Sequence, residues 1–214
     1  LDLIPDFLDG KEVISSEMMK EVDRCREALE IAESGKKVAL VSGGDPGIYA
    51  MAGLVFEMAK ETKFTCKIEI IPGLAAINSC AARLGAPLMH DFAAVSLSDL
   101  LTPWELIEKR LQAVAASDFV TAIYNPRSKR RTEQIVKARE IFLEYRSPDT
   151  PVGIVTAATR ENESIVITTL DAMLKSDIGM QSTVIIGNSQ TFSWNDLMIT
   201  PRGYSNKYKL SKAS

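Results

Sequence analysis

Apolar residues along this chain recur with two periods, and the alternation between those periods organises everything else. At helical spacing, Met18, Val22, Cys25, Leu29 and Ala32 form one stripe, with Ser15 or Ser16 expected as its cap and Gly35 as its end. Short β-type runs follow over 38–42, 67–71 and 93–97, separated by helical periods over 48–60 and 74–84. A helix over 103–116 is expected to turn Leu106, Leu111 and Val114 inward. The cycle then restarts with a strand over 119–124, a helix over 131–145 and a strand over 152–156. Apolar stretches at 165–168, 183–186 and 197–199 lie close together with turn residues between them. Strand–helix alternation predicts a parallel sheet, and short connections predict antiparallel pairs near the end. The expected fold class is α/β, in two lobes over 1–117 and 118–214.

Composition narrows the reading only a little. The 214 residues are 46% hydrophobic and 25% charged, which is ordinary for a globular protein with a real core. A net charge of −3 disfavours a general nucleic-acid-binding role, and no apolar run approaches membrane-spanning length. Cys25, Cys66 and Cys80 lack metal or disulfide spacing and sit among apolar neighbours. They read as reduced core thiols of a cytoplasmic protein, with no metal site expected. The opening Leu1-Asp2-Leu3-Ile4-Pro5 has no Met and begins mid-element, so further residues are expected to precede it.

Candidate chemistry gathers where predicted strands end. Gly43-Gly44-Asp45-Pro46 follows the first run; its glycines admit a ligand to the main chain, and Asp45-Pro46 is expected to start a helix. It is neither a dinucleotide fingerprint nor a phosphate loop, and its acidic tip suits a cationic or hydroxyl-bearing ligand. Pro72-Gly73-Leu74-Ala75-Ala76 and Tyr124-Asn125-Pro126-Arg127-Ser128 are two further corners of this kind. Three corners at strand C-termini are expected to converge on one crevice. Arg127, Lys129, Arg130 and Arg131 open a predicted helix, against its dipole, so they either hold an anion or form a solvated face. Arg160 and Arg202 are candidates to extend that patch. His90, the single histidine, is either a loop residue tied to Asp91 or a backbone carbonyl, or an acid–base group or ligand-facing donor.

Three segments, Gly43 to Tyr49, Ile71 to Ala76 and Ala157 to Asn162, resemble the tetrapyrrole methylases in residue pattern and order. Leu84 to Phe92, Ser96 to Trp104 and Ala122 to Ser128 extend the resemblance to members that act in cobalamin biosynthesis. The resemblance implies two α/β domains with the active site in the cleft between them. It also implies that a first strand and a glycine-proline-glycine loop are absent from this chain. The implied activity is S-adenosylmethionine-dependent methylation of C17 of precorrin-3B or its cobalt form, with ring contraction. The implied cofactor residues are Gly43, Gly44, Asp45, Ile48, Ala75, Ala76, Tyr124, Asn125, Ala158 and Thr159. Arg127, Lys129, Arg130, Arg131 and Arg160 are implied for the tetrapyrrole, and His90, Ser96, Ser98 and Asp99 for acid–base steps. A cytoplasmic homodimer is likewise implied, with neither nucleic acid nor membrane as partner. The alternatives are another member of the superfamily such as diphthine synthase, or a non-catalytic α/β ligand-binding module.

Overall fold

The computed structural model describes residues 4–15 and 20–210. By contacts the chain forms two compact units, Leu1–Leu74 and Ala75–Ser214. In the first unit, helix α1 (Glu21–Glu33) buries Cys25 and Leu29 but leaves Val22 47% exposed, so its apolar stripe is narrower than the periodicity suggests. Its N-cap is Lys20 without a side-chain bond, which removes Ser15 from the capping role. Ser16 and Met18 lie outside the described residues. Helix α2 (Ala52–Thr62) starts later than residue 48 and ends on Lys63 in the left-handed region.

The runs over 38–42 and 67–71 form no strand ladder among the described residues. Apolar runs carry strand propensity, but a strand exists only where a neighbour takes its N–H and C=O groups. These two segments instead line a cavity of about 610 Å³ together with Leu29, Ala52 and Val55. Cys66, just before the second run, is exposed rather than in the core; Cys25 and Cys80 are buried free thiols.

The second unit holds helix α3 (Ala76–Leu84), strand β1 (Gly85–Ala86), β2 (Phe92–Ser96), helix α4 (Trp104–Ala116) and β3 (Val120–Tyr124). Helix α5 (Gln134–Leu143), β4 (Pro151–Thr156), β5 (Ser164–Thr169), β6 (Ser182–Ile186), β7 (Phe192–Trp194) and β8 (Leu197–Ile199) follow. One sheet has the order β2-β3-β6-β4-β5. β2 and β3 pair in parallel, while β6 runs antiparallel to both β3 and β4, and β5 antiparallel to β4. This sheet crosses residue 117, where the sequence reading puts a lobe boundary: Phe92 pairs with Val120. β1, β8 and β7 form a second small sheet. Asn195 and Asp196, both with positive φ, make the two-residue turn that its hairpin twist requires.

Both faces of the five-stranded sheet are covered, and the period of two decides which residue goes where. Ile123, Val152, Ile154, Val184 and Ile186 pack against Ile107 and Leu111 of α4 and Ile135 and Phe142 of α5. Ala122, Val155 and Ile185 face the other way, onto Ile77, Cys80 and Leu84 of α3. In α4 the inward position is Ile107; Leu106 is 41% exposed. Gly153 lets α3 lie close, since a Cβ there meets Leu84 Cδ1 at 2.3 Å.

Arg146 locks one end of this unit. It is buried, donates to Ala115 O at 2.7 Å and lies 3.1 Å from the Asp118 carboxylate, which also accepts from the Ser189 N–H and hydroxyl. Burial pushes the guanidinium pKa down and Asp118 holds it up. Arg146→Met leaves the Ala115 carbonyl and Asp118 without their cation, so urea unfolding should report a loss of about 2–4 kcal/mol. A midpoint unchanged from the parent would show that the pair contributes nothing net.

Candidate functional site

Because β6 is antiparallel to its two neighbours, β2, β3 and β4 all point the same way. Their C-terminal ends, at Ser96, Tyr124 and Thr156, therefore share one edge of the sheet. In α/β sheets this edge is where ligands bind. The segments leaving it are bonded to one another. Leu97 N donates to Tyr124 O at 2.9 Å, and Asn125 Nδ2 donates to Ser96 Oγ at 3.0 Å. Thr156 and Ser182 share a hydroxyl bond of 2.7 Å, and Ala157 N donates to Gln181 O. The Tyr124 hydroxyl accepts from Ile77 N at 2.9 Å, so β3 satisfies one of the free N–H groups that begin α3. Buried Ala75 and half-buried Tyr124 and Ala158 belong to the same cluster.

Backbone strain is concentrated here. Asn125, Ala157 and Thr159 all have positive φ, at 49°, 50° and 66°. Non-glycine residues hold that conformation only where surrounding contacts over-determine it, which is common at ligand sites. For Thr159 the contact is Glu163, whose carboxylate accepts from the Thr159 N–H and from Arg83 Nε of α3. The Thr159 N–H bond and then Arg83 hold the Glu163 carboxyl below its usual range. Arg83 and Glu163 belong to no local motif: they are 80 residues apart and only folding joins them.

Asp45 organises the corner in the first unit. Its Oδ1 accepts from Gly47 N at 2.8 Å and its Oδ2 from Gly73 N at 3.0 Å. The first turn it caps is not yet helix, since 46–51 are turns and α2 begins at Ala52. This carboxylate ties two of the three predicted corners together. Gly73 itself has no room for a side chain, as a Cβ there meets Gly44 O at 2.2 Å. Gly43 is different: a Cβ there meets nothing within 4 Å, and Ile48 nearby in sequence is exposed.

The acid–base candidates divide. Ser96 ends β2, and its hydroxyl oxygen accepts from Asn125 Nδ2 and from Ser98 N. Asp99 accepts from Gln134 Nε2 at 2.7 Å. His90 precedes β2, beyond the strand's other end, which at about 3.3 Å per residue is itself roughly 13 Å from Ser96. Its Nδ1 accepts from Asp91 N, so the histidine is tied to its neighbour. The basic run divides as well. Helix α5 begins at Gln134, so the run precedes the helix instead of opening it. Arg131 is structural: it donates to Asn125 O, and its backbone exchanges bonds with Ser128. Arg127, Lys129, Arg130 and Arg160 are exposed.

Small side chains and backbone held at positive φ therefore lie together at one sheet edge. The profile of the tetrapyrrole (corrin/porphyrin) methylases matches residues 4–174, and the chain belongs to that family. A cobalt-factor III methyltransferase of Priestia megaterium is 55% identical over 99% of this chain, which spans 40% of that protein's length. A Salmonella typhimurium protein named as a probable cobalt-factor III C(17)-methyltransferase is 47% identical over 95% of this chain and 84% of its own. Among solved structures, the methyltransferase CobJ superposes with a TM-score of 0.84 at 37% identity, covering 90% of this chain and 82% of that one.

Two predictions follow the geometry. Gly73→Ala forces its methyl into the Gly44 carbonyl and should cost at least about 1–3 kcal/mol in urea unfolding, while Gly43→Ala should stay within about 0.5 kcal/mol. Equal midpoints for the two variants would remove the close contact. The second concerns Glu163. Its lowered carboxyl pKa means the brace stands above the ordinary carboxylate range and is lost only as pH falls through the lowered value. Hydrogen exchange at the Thr159 amide should stay protected in Glu163→Gln, which keeps an acceptor, and become fast in Glu163→Ala. Equal exchange in both variants would assign the loop's conformation to other contacts.

Proposed function

We propose that this chain methylates C17 of a precorrin-3-type tetrapyrrole, with or without cobalt, using S-adenosylmethionine, in cobalamin biosynthesis. The observation that carries the reading is the 47% identity sustained over 84% of the Salmonella relative. The sheet edge suits it. When bound, S-adenosylmethionine supplies an electrophilic methyl on a sulfonium centre, so the activation comes with the ligand. What remains for the protein is positioning and exclusion of water, which small walls and fixed backbone supply.

In this reading Ala75, Ala76, Tyr124, Asn125, Ala158 and Thr159 hold the cofactor. The alanines leave it volume, and the positive-φ residues offer it backbone groups. The proposal extends to Gly43, Gly44, Asp45 and Ile48. The Asp45 carboxylate already accepts from two backbone N–H groups and keeps further lone pairs for ligand hydroxyls. The tetrapyrrole carboxylates fall to Arg127, Lys129, Arg130 and Arg160, each exposed contact contributing about 0.2–1 kcal/mol. Arg131 contributes by fixing their loop. Ring contraction needs proton transfers, and Ser96, Ser98 and Asp99 are the groups at the edge for them. The Ser96 hydroxyl accepts two N–H bonds and still has its own proton to donate. No helix among the described residues is long and apolar enough to cross a membrane, and we extend the proposal to a cytoplasmic homodimer.

Calorimetry with S-adenosylhomocysteine and mass spectrometry after incubation with S-adenosylmethionine and cobalt-factor III test the reading. The expected results are saturable binding and a product heavier by one methyl group. Gly43→Ala should keep the parent's stability yet bind S-adenosylhomocysteine more weakly. A protein that neither binds the homocysteine nor alters the tetrapyrrole mass would overturn the assignment.

A further inference from the structure

Leu100 and Leu101 stand out from the apolar packing around the sheet edge. They are 72% and 93% exposed, the latter the most exposed large apolar side chain among the described residues. Isolated exposed leucines are commonplace, but two in succession on an anchored loop are not. This loop is anchored along its length. Leu97 is fully buried and its N–H donates to Tyr124 O. Asp99 is bonded to Gln134 at the start of α5. Past the loop, α4 opens with Trp104, whose ring carries the Lys137 ammonium at 5.4 Å.

The adjoining loop, after β3, is built in a complementary way. Arg131 and Ser128 close it on itself, while Arg127, Lys129 and Arg130 remain exposed and, among the described residues, form no ion pair. β2 and β3 are paired neighbours, and Asn125–Ser96 and Gln134–Asp99 bond one loop to the other. Two leucines held in water therefore lie beside three unpaired cations, at the edge proposed above for methyl transfer. A ligand that satisfies both has a broad apolar face and carboxylates around its rim.

We propose that Leu100 and Leu101 form an apolar platform for the face of the tetrapyrrole ring, with Arg127, Lys129 and Arg130 taking its peripheral carboxylates. The proposal rests on the methylase reading and adds to it the residues that select a macrocycle over a smaller polycarboxylate. Burial of the leucines on binding supplies affinity that salt does not screen, whereas the cation contacts weaken as ionic strength rises.

Uroporphyrin III, an apolar ring with a carboxylate rim, is the probe, titrated by fluorescence at two salt concentrations. Leu100→Ala with Leu101→Ala should raise its Kd about tenfold and leave the salt dependence, the melting temperature and S-adenosylhomocysteine affinity at the parent's values. Leu100→Met with Leu101→Met, which keeps apolar surface, should recover most of the loss. Changing Arg127, Lys129 and Arg130 to Gln should flatten the salt dependence instead. An unchanged uroporphyrin Kd in the double alanine variant overturns the platform, as does a parent protein that binds S-adenosylhomocysteine but not uroporphyrin. A parent that binds uroporphyrin but not S-adenosylhomocysteine overturns the methylase reading and leaves the platform standing.

Discussion

The site depends on one strand, β6, being inserted antiparallel between β3 and β4. All five of its residues are buried, so each of its backbone N–H and C=O groups must find a partner in a neighbouring strand. Flanked on both sides, β6 leaves β3 and β4 parallel to each other although they never pair. That brings the residues after Tyr124 and after Thr156 to the same edge, and parallel β2 adds Ser96. Had β6 stood at the sheet's rim, β3 and β4 would meet directly, and the small residues of the two loops would have no gap to line.

Around that edge, polar side chains hold backbone in shapes it would not keep alone. The Tyr124 hydroxyl fixes the start of α3, Glu163 fixes Thr159, and Arg131 fixes Asn125. In the first unit Asp45 does the same for Gly47 and Gly73. Each is a side chain bonded to main chain, which leaves the main chain's remaining groups and the small side chains to a ligand. This division suits a reaction whose reactive group arrives with the cofactor, because a fixed cradle matters more there than a nucleophile. The cations and leucines on the two neighbouring loops stay outside the hydrogen-bonded frame.

Much of the architecture is written locally. Apolar runs place β2 to β6 and β8 within a residue or two, and the central strands β3, β4 and β6 are apolar almost throughout because both their faces are covered. Helices α3 and α4 follow from their stripes in the same way. The corners at Gly43, Gly73 and Asn125 were legible too, because glycine, proline and asparagine after an apolar run signal a turn through local sterics. The family itself is carried by those corners.

Other features depend on partners that no local pattern names. Residues 38–42 and 67–71 have the composition of strands, but a ladder is a property of two segments, and among the described residues neither has a partner. Val22, Leu106 and Cys66 look like core residues by spacing, yet which turn of a helix or loop meets the sheet is set by packing. His90 and Ser96 are close in sequence, but the strand between them carries them to opposite ends. Arg131 sits in a run of like residues, and only the closure of its loop makes it structural while its neighbours stay free. Arg83 and Glu163 share no motif and meet because α3 packs along the sheet past β4. The sequence alone thus determined most elements of the second unit, the corners and the family, since these follow from local sterics and hydrophobic period. Tertiary structure decided which polar groups hold the frame and which remain for ligands, because that depends on distances between residues far apart in the chain.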